Sequence, residues 1–375
     1  MSDLLKVMLV AQTPPPYGGQ AVMMQKILEG EYVGVSIRHV RMAFSRDMRE
    51  VGRLKPRKVI HLLAVIGRVV VTRVRFGAST LYYPPAGPDK VPMYRDLILL
   101  LATRWMFKKT IFHFEAGGLS ELYPTLPPWL KPLFRTAYFG ADLGIRTDRF
   151  APEDPARLEA TREAIIPNAV DDVADSTRRV MPSGRAPSYG TILFVGVIRE
   201  SKGAVALIEA CGELKRSGLR FRLQLMGEFE SEEFENRIRS MANEHGVDFE
   251  YLGVRTGPEK YFAYAEADIF CLPSFFESES GPVVLVEAMQ FGLPIVSTNW
   301  RGIPAMVSEG VNGFLVPVRD IRALADRLRI LLTNPELAGQ MGAAGRRIYE
   351  AQYTLQGFHE NLQAVFDMVR DGSSP

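Results

Sequence analysis

Two glutamates stand close to a predicted anion-binding turn in the second half of the 375-residue chain. Glu279 and Glu287 are separated by seven residues, and a strand predicted at 268–272 leads into the polar segment that carries the first of them. A helix is predicted to begin at Pro282 and to be capped by Gly292, because these residues suit those two positions. Backbone N–H groups and the helix dipole at such a start favour an anion such as diphosphate. Carboxylates beside that anion are better suited to binding hydroxyl groups.

The residues around this pair resemble the signature of glycosyltransferase family 4, a family of retaining enzymes with the GT-B fold. The central run is Pro273-Ser274, Glu279, Glu287-Ala288-Met289 and Gly292-Leu293-Pro294-Ile295-Val296. Further family-like segments are Phe194-Val195-Gly196 with Lys202-Gly203, Phe249–Gly253, Ala267-Asp268, Gly310–Val316 and Ile166–Asp171. The first half of the chain matches only at Gly18-Gly19, His113 and 166–171. Two glutamates at this spacing occur often by chance, so the order of all the segments carries the resemblance.

The resemblance implies three catalytic residues, which are Glu279, His113 and Lys202. Glu279 would bind the donor sugar near its reacting face, and Lys202 would neutralise the leaving diphosphate as the glycosidic bond breaks. His113 would bond the donor sugar or its neighbour, although a histidine packed at a strand end is the alternative. Glu115 would face an acceptor hydroxyl in a weaker reading of the same segment.

The resemblance also implies a donor-binding set. Glu287 would bind the ribose hydroxyls, backbone groups after the strand at 249–251 would hold the base, and Gly18 and Gly19 would let the backbone approach phosphate or acceptor. The full set is Gly18, Gly19, Arg199, Lys202, Gly253, Val254, Ser280, Gly281, Pro282, Val283 and Glu287.

Four positions depart from the family pattern. Val197 stands where arginine is common, so that either Arg199 takes its role or the site uses Lys202 alone. Ser280 and Gly281 stand where glycine and an aromatic residue are common, and Ala305 stands where glutamate is usual. These departures bear on details of donor binding and leave the enzyme class unchanged.

Strand-like and helical runs alternate along the chain, with strands predicted at 4–11, 165–167 and 191–195 and a short helix at 261–266 among them. This alternation predicts an α/β protein with parallel sheets. The expected architecture is GT-B, with two Rossmann-like doubly wound domains facing across a cleft where the ligand binds. The N-terminal acceptor-side domain is predicted at 1–172, a Pro- and Gly-rich linker at 173–190 and the C-terminal nucleotide-sugar domain at 191–353. A closing helix at about 354–372 is expected to cross back onto the first domain.

The predicted reaction moves a sugar from a UDP- or GDP-sugar to a hydroxyl of a glycan or lipid-linked acceptor, in bacterial cell-surface polysaccharide or glycolipid synthesis. The chain has no Asp-x-Asp pair, so the expected hexosyltransferase uses no metal and no cofactor. The two cysteines, Cys211 and Cys271, are sixty positions apart, which excludes a disulfide framework and fits a reducing, cytoplasmic compartment.

Positive charge is concentrated between Arg38 and Arg75, with eleven basic residues against Asp47 and Glu50. Arg57–Arg75 interleaves these charges with apolar residues at the spacing of an amphipathic helix. A solvated helix face and a peripheral contact with anionic membrane, at its inner face, are both compatible with this pattern. Nucleic acid is not expected as a partner, because no recognition motif accompanies the charge. The apolar run Val59–Thr72 is too short to cross a bilayer, for which about 20 residues are needed.

Other classes of protein fit less well. A dinucleotide-dependent oxidoreductase would need Gly-x-Gly-x-x-Gly after the first strand, where the chain has Pro14-Pro-Pro-Tyr-Gly-Gly. A GT-B epimerase or glycogen-phosphorylase-like enzyme is closer in its chemistry, but the context of the two glutamates argues against it. A catalytically impaired relative that serves as a binding or scaffold subunit remains the alternative, with Val197 and Ala305 in its favour.

Overall fold

The computed structural model describes residues 4–44, 56–180 and 190–371. The chain forms two compact units, one made of Met1–Asn168 with Leu355–Pro375 and the other of Ala169–Thr354. Each unit has one six-stranded, wholly parallel sheet covered by helices. Both sheets and the repeated strand–helix alternation agree with the α/β class predicted from the sequence.

The strands of the first unit are short and their central members are buried. They are β1 (Leu5–Ala11), β2 (Val35–Arg41), β3 (Thr80–Tyr83), β4 (Lys109–Phe114), β5 (Leu143–Arg146) and β6 (Glu163–Ile165). The helices are α1 (Gly19–Glu29), α2 (Pro56–Phe76), α3 (Lys90–Thr103), α4 (Leu119–Leu122), α5 (Lys131–Tyr138) and α6 (Asp154–Arg157). The strand order is β2-β1-β3-β4-β5-β6, with Val7 of β1 paired to Ile37 on one side and to Thr80 on the other.

The second unit repeats this plan. It contains β7 (Thr191–Val195), β8 (Arg222–Met226), β9 (Phe249–Gly253), β10 (Ile269–Leu272), β11 (Ile295–Thr298) and β12 (Gly313–Val316). Its helices are α7 (Ala174–Val180), α8 (Ala204–Arg216), α9 (Glu232–Glu244), α10 (Gly257–Glu266), α11 (Val283–Gln290), α12 (Ile303–Met306), α13 (Ile321–Thr333) and α14 (Pro335–Gln352). The strand order is β12-β11-β10-β7-β8-β9, and α15 (Leu355–Asp371) follows as part of the first unit.

Continuous apolar runs explain why the central strands form. β7 is Thr-Ile-Leu-Phe-Val and β10 is Ile-Phe-Cys-Leu, and every residue of both is buried. A strand in the middle of a parallel sheet is covered by helices on both faces, so it needs no polar side. These two strands lie side by side at the centre of the second sheet.

The order of strands creates one switch point in each sheet. From β7 the chain moves outward to β8 and β9, and it then returns to the other side of β7 to form β10. The loops that follow β7 and β10 therefore leave the sheet in opposite directions and open a crevice at its carboxyl edge. In the first unit the same argument places the crevice between the loops after β1 and β3.

Several local predictions need correction. The predicted linker at 173–190 contains helix α7, which belongs to the second unit, and residues 181–189 lie outside the described residues. Arg178 donates to the Phe291 carbonyl at 2.7 Å and Arg346 forms an ion pair with Asp172, so this segment is bonded to the second unit's own helices. The first unit accordingly ends at Asn168 and not at residue 172.

Two strands and one helix start also differ from the prediction. β5 was not predicted, and the strand predicted at 165–167 lies two residues earlier, at Glu163–Ile165. Pro282 is the N-cap of α11, not its first helical residue. Gly292 follows α11 with a φ of 67°, as its predicted capping role requires.

The second unit begins and ends at the same place. Val170 forms an isolated parallel bridge with Thr354, and the Tyr349 hydroxyl donates to the Val170 carbonyl at 3.1 Å. The chain thus enters and leaves this unit through two paired segments.

Candidate active site

The crevice at the switch point of the second sheet contains the first predicted pair. Lys202 lies at the end of a 3-10 turn after β7, and Glu279 lies in the loop after β10. The Lys202 ammonium donates to both carboxylate oxygens of Glu279, at 2.8 and 2.7 Å. Glu279 is 5% exposed, so the charges attract each other at a site where water competes little. Two residues predicted to contact different parts of a donor are therefore bound to each other.

Backbone contacts hold these two loops together. The Phe275 amide donates to the Ser201 carbonyl at 2.7 Å, and the Ser274 hydroxyl donates to the same carbonyl at 3.3 Å. Ser274 also bonds Glu279 through its hydroxyl. Gly203 has a φ of 86°, and a Cβ there would lie 2.2 Å from the Pro273 carbonyl oxygen. Only glycine allows the loop of Lys202 to approach the loop of Glu279 this closely.

An aromatic ring brings a second cation to the pair. The Phe276 ring centroid is 4.7 Å from the Lys202 ammonium and 5.2 Å from the Arg199 guanidinium carbon. The Trp300 indole donates to the Phe276 carbonyl at 2.8 Å, which fixes the backbone that carries the ring. Arg199 and Lys202 therefore both contact the Phe276 ring, and Arg199 also forms an ion pair with Glu230 at 3.4 Å.

The second glutamate is held by residues that were not predicted. Glu287 of α11 forms an ion pair with Lys260 through one oxygen, and its other oxygen accepts from the Tyr264 hydroxyl at 2.8 Å. Tyr264 stacks on Phe270 and Phe291, with ring centroids 5.8 and 5.7 Å away. Glu287 is 5% exposed, so both oxygens are positioned by side chains of α10 before any ligand binds.

Glycines end three neighbouring strands of this sheet. Gly196, Gly227 and Gly253 follow or close β7, β8 and β9 with φ values of 148°, 141° and 67°. A Cβ at Gly227 would lie 1.8 Å from the Gly196 carbonyl oxygen. The carboxyl edge is therefore bare backbone at these points, and Val254 next to Gly253 is exposed. One side chain reaches this edge, because the Tyr251 hydroxyl donates to the Gly227 carbonyl at 3.0 Å.

The N-terminus of α11 contributes the remaining predicted donor-binding residues. Ser280 and Gly281 are buried directly before the N-cap Pro282, and Val283 is partly exposed at the first helical position. All lie in the segment between Glu279 and Glu287. The positive end of the helix dipole thus lies in the same segment as the two glutamates.

The first unit carries the other predicted residues. Gly18 is the N-cap of α1 and Gly19 is its first residue, in the crevice loop after β1. The Arg41 guanidinium donates to the carbonyls of Thr13, Pro14 and Pro15 at 2.9–3.2 Å, which fixes the loop that leads to them. Gly18 has a φ of −109°, so the backbone conformation there does not require glycine.

His113 lies at the end of β4 and is wholly buried. Its Nδ1 is 2.7 Å from the Tyr82 hydroxyl, and its Nε2 is 3.4 Å from Oε1 of Glu115. Burial lowers the pKa of His113 to about 3 and raises the pKa of Glu115 to about 8, with Asn168 opposing the latter through a hydrogen bond. Both groups are neutral at neutral pH, so the pair is no ion pair despite its distance.

We expect this pair to make stability depend on pH. The Glu115 carboxyl titrates near 4.5 when unfolded and near 8 when folded, so the folded state retains the proton between these values. Unfolding free energy should therefore fall as pH rises from about 6.5 to 8, by up to about 1.4 kcal/mol per pH unit. Below 6.5 His113, whose pKa is lowered, contributes with the opposite sign. Urea denaturation at several pH values measures this slope.

Glu115→Gln should remove the fall between pH 6.5 and 8. Glu153→Gln, which changes an exposed carboxylate in the same unit, is the matched control and should keep the wild-type slope. An identical slope in the Glu115 variant would contradict the assigned protonation.

Among the described residues, no three His, Cys, Asp or Glu side chains are grouped so that they could hold a metal ion. In the same part of the chain, no helix is both long and apolar enough to cross a membrane.

Comparison with known proteins identifies the family of this chain. Residues 178–348 match the family model described as glycosyl transferases group 1. The putative colanic acid biosynthesis glycosyltransferase WcaL of Escherichia coli K12 is 36% identical over 317 residues, which cover 82% of this chain and 74% of WcaL. This chain belongs to the group 1 glycosyltransferases.

Solved structures of glycosyltransferases share the fold. Sucrose-phosphate synthase from Thermosynechococcus elongatus superimposes with a TM-score of 0.75 at 16% identity, covering 98% of this chain and all of that one. Anabaena HepE in complex with UDP-glucose gives a TM-score of 0.66 at 16% identity, covering 96% and 99%. The GT-B architecture predicted for this glycosyltransferase is confirmed.

The partners of the predicted residues were the part that sequence reasoning missed in this glycosyltransferase. Lys260 and Tyr264 lie on α10, whose predicted span began only at residue 261. Pro258 in the first turn of that helix was the signal that could have extended it. Phe276 and Trp300 carried no recognisable pattern.

Proposed function

We propose that this glycosyltransferase moves a hexose from a UDP- or GDP-sugar to a hydroxyl of a glycan or lipid-linked acceptor with retention of anomeric configuration. The ion pair of Lys202 with Glu279 at the switch point is the observation that carries the proposal. A crevice with a cation, a fixed carboxylate and a helix N-terminus suits a ligand that combines diphosphate with hydroxyl groups. The HepE complex, whose ligand is UDP-glucose, supports this donor class.

In the proposed mechanism Lys202 and Arg199 counter the charge that develops on the departing diphosphate. Lys202 already bonds Glu279, so donor binding would place the ammonium between a carboxylate and a phosphate. Glu279 would then bond the donor sugar while Lys202 and Ser274 hold its carboxylate in one orientation. The acceptor hydroxyl would attack from the face that the diphosphate leaves, and the departing phosphate would take its proton.

No metal is assigned a role in this proposal. The positive charge that a metal would supply to the diphosphate comes instead from Lys202, Arg199 and the N-terminus of α11. Sugar transfer should therefore persist in excess chelator. Loss of activity on chelation, or an inverted product observed by NMR of the anomeric proton, would refute this mechanism.

The acceptor is proposed to belong to cell-surface polysaccharide synthesis, because WcaL is named for colanic acid biosynthesis. We further propose that this acceptor is linked to a lipid, which would place the enzyme at the inner face of a membrane. His113, Gly18 and Gly19 of the first unit are proposed to contribute to donor or acceptor binding.

Nucleotide binding tests the donor assignment. Thermal-shift screening against UDP- and GDP-sugars should find one base that stabilises the protein, and calorimetry should then show that Glu287→Ala weakens that nucleotide by about tenfold or more. The carboxylate is buried and would form charged hydrogen bonds to ribose, which are each worth about 1.5–3 kcal/mol.

Glu259→Ala on α10 is the matched control, because it removes an exposed carboxylate one residue from Lys260. The control should leave the dissociation constant unchanged. Equal affinities for the Glu287 variant and wild type would exclude the ribose role. Nucleotide binding without sugar transfer to any acceptor would favour the non-catalytic alternative.

A further inference from the structure

Helix α2 has apolar side chains both on the side that packs on the core and on the side that faces solvent. Leu62, Val65 and Val69 are buried in the core of the first unit. On the outward side, Ile60 is 71% exposed and Val74 is 71% exposed. Between them Leu63 and Val71 are also exposed, at spacings that bring them onto one outward stripe along the helix. A helix that covers only a soluble core would carry polar residues on that stripe.

The neighbouring helices extend this surface. α2 packs against α3 and α3 against α5, and all three bury their inner sides in the same core. Their outward sides expose more large apolar residues, including Trp105 after α3 at 77% and Trp129 before α5 at 66%. We call the whole set the apolar helix face: Val59, Ile60, Leu63, Val71, Val74, Tyr94, Ile98, Trp105, Trp129 and Leu133.

Exposed large apolar residues are concentrated on the apolar helix face and are not spread evenly over the surface. Eighteen large apolar residues are exposed among the described residues, and ten of them belong to the apolar helix face. The second unit exposes only Val180, Val254 and Val311 in its described part. The ten residues lie on or directly beside helices that pack against each other, and exposed apolar regions of this kind mark sites of interaction.

The charge of the same elements is almost entirely positive. α2, α3, α5 and the turn Arg104–Met106 contain ten lysines or arginines, and their one acidic residue, Asp96, is buried and paired with Arg95. On α2, Arg68 and Arg75 are exposed beside the apolar stripe, and the helix has no acidic residue. The surface therefore offers apolar contact and positive charge together.

The structure reduces the part of the basic region Arg38–Arg75 that can contribute to this surface. Arg41 bonds backbone carbonyls of the loop after β1, and Arg38 lies over the Phe76 ring at 5.4 Å. Residues 45–55 lie outside the described residues. Among the described residues of Arg38–Arg75, the exposed apolar stripe therefore lies on helix α2. The apolar helix face also includes Trp105 and Trp129, which lie outside Arg38–Arg75 in the sequence.

We propose that the apolar helix face docks the enzyme on an anionic lipid bilayer, with the apolar side chains entering the headgroup boundary. Helices that combine an apolar stripe with arginines lie in the plane of such a boundary. Exposed tryptophans prefer the same depth, and each basic side chain is attracted by anionic headgroups. A second copy of the chain fits less well, because the centre of a protein interface is depleted of charge and like-charged faces repel each other.

This inference goes beyond the proposed reaction, because it concerns helices that contain none of the donor-binding residues. It gives the enzyme a position and an orientation at the membrane, whatever sugar it transfers. The donor site and the apolar helix face can therefore be tested separately.

Co-sedimentation with lipid vesicles tests the proposal. The full chain should bind vesicles of equal parts phosphatidylglycerol and phosphatidylcholine, and should bind phosphatidylcholine alone at least about tenfold more weakly. The double substitution Ile60→Asp with Leu63→Asp should weaken binding to the mixed vesicles by about tenfold or more, since it removes two apolar side chains that would enter the bilayer and adds negative charge. Val311→Asp, at an exposed apolar position of the second unit, is the matched control.

Arginine variants separate charge from apolar contact. Arg68→Gln and Arg75→Gln should each lower binding about fivefold at low salt and much less at high salt. Nucleotide binding should be unchanged in all of these variants, which also shows that they are folded.

Three results would overturn the proposal. The first is equal binding to both vesicle types, and the second is an equal loss of binding in the Val311 control. The third is a wild-type protein that does not bind vesicles but forms a dimer, which the Ile60 and Leu63 substitutions dissociate. Sedimentation equilibrium detects the last of these. Failure of nucleotide binding in wild type would count against the proposed reaction and not against membrane docking.

Discussion

Glu279→Gln should lower the turnover number of sugar transfer by about a hundredfold or more. The substitution keeps the shape of the side chain but removes the charge that binds Lys202 at 2.7 and 2.8 Å. In the variant, Lys202 would still neutralise the diphosphate, which is charged already in the ground state. It would no longer hold a carboxylate against the reacting sugar. Loss of one oriented electrostatic contact in a transition state typically costs a factor of about 10² to 10³. Steady-state kinetics with the donor identified by screening measures the effect.

The free nucleotide should bind the Glu279 variant within about threefold of wild type, because the proposed contact is to the sugar and not to the base or ribose. Glu277→Gln is the matched control, since it changes an exposed carboxylate two residues away in the same loop. The control should keep full turnover. A Glu279 variant that turns over like the control would refute the catalytic role of the pair.

Gly227→Ala should destabilise the second unit by about 3 kcal/mol or more. The added Cβ would lie 1.8 Å from the Gly196 carbonyl oxygen, and the φ of 141° is unfavourable for any residue with a side chain. The clash is with backbone, so no side-chain rotation relieves it. Strands β7 and β8 would have to separate where they end, which also disturbs the loop of Lys202. Urea unfolding followed by circular dichroism measures the loss.

Gly246→Ala separates strain from clash. Gly246 has a φ of 65°, but nothing lies within 4 Å of its added Cβ, so the cost should be only about 1 kcal/mol. Similar stabilities for the two variants would mean that the approach of Gly227 to Gly196 does not constrain the sheet.

The central strands were predictable because they are continuous apolar runs. β1 and β7 match their predicted spans to within one residue for this reason. β5 is four residues long and contains Gly144, and β6 is a three-residue edge strand without an apolar run. Hydrophobic pattern fails for such strands, because pairing with a neighbour and not their own sequence decides that they form.

The sequence indicates which residues are candidates for the site, but the contacts between them could not be predicted from it. The spacing of Glu279 and Glu287 and the glycine after Lys202 are visible in the sequence. That Lys202 binds Glu279 follows from the adjacency of β7 and β10, which are separated by more than seventy residues. Lys260 contacts Glu287 from a different helix, and no local sequence pattern predicts such an ion pair. Exposure of Trp105 and Trp129 is likewise a property of the folded surface alone.

The bridge between Val170 and Thr354 has an evolutionary consequence. A segment whose two ends meet can be lost, gained or exchanged without changing the path of the surrounding chain. The second unit is one continuous segment and therefore has the layout of a domain inserted into the first unit, which resumes at Leu355. Exchange of this whole unit between related genes would alter the chain at only two neighbouring points. New combinations of the two units could therefore arise in this way.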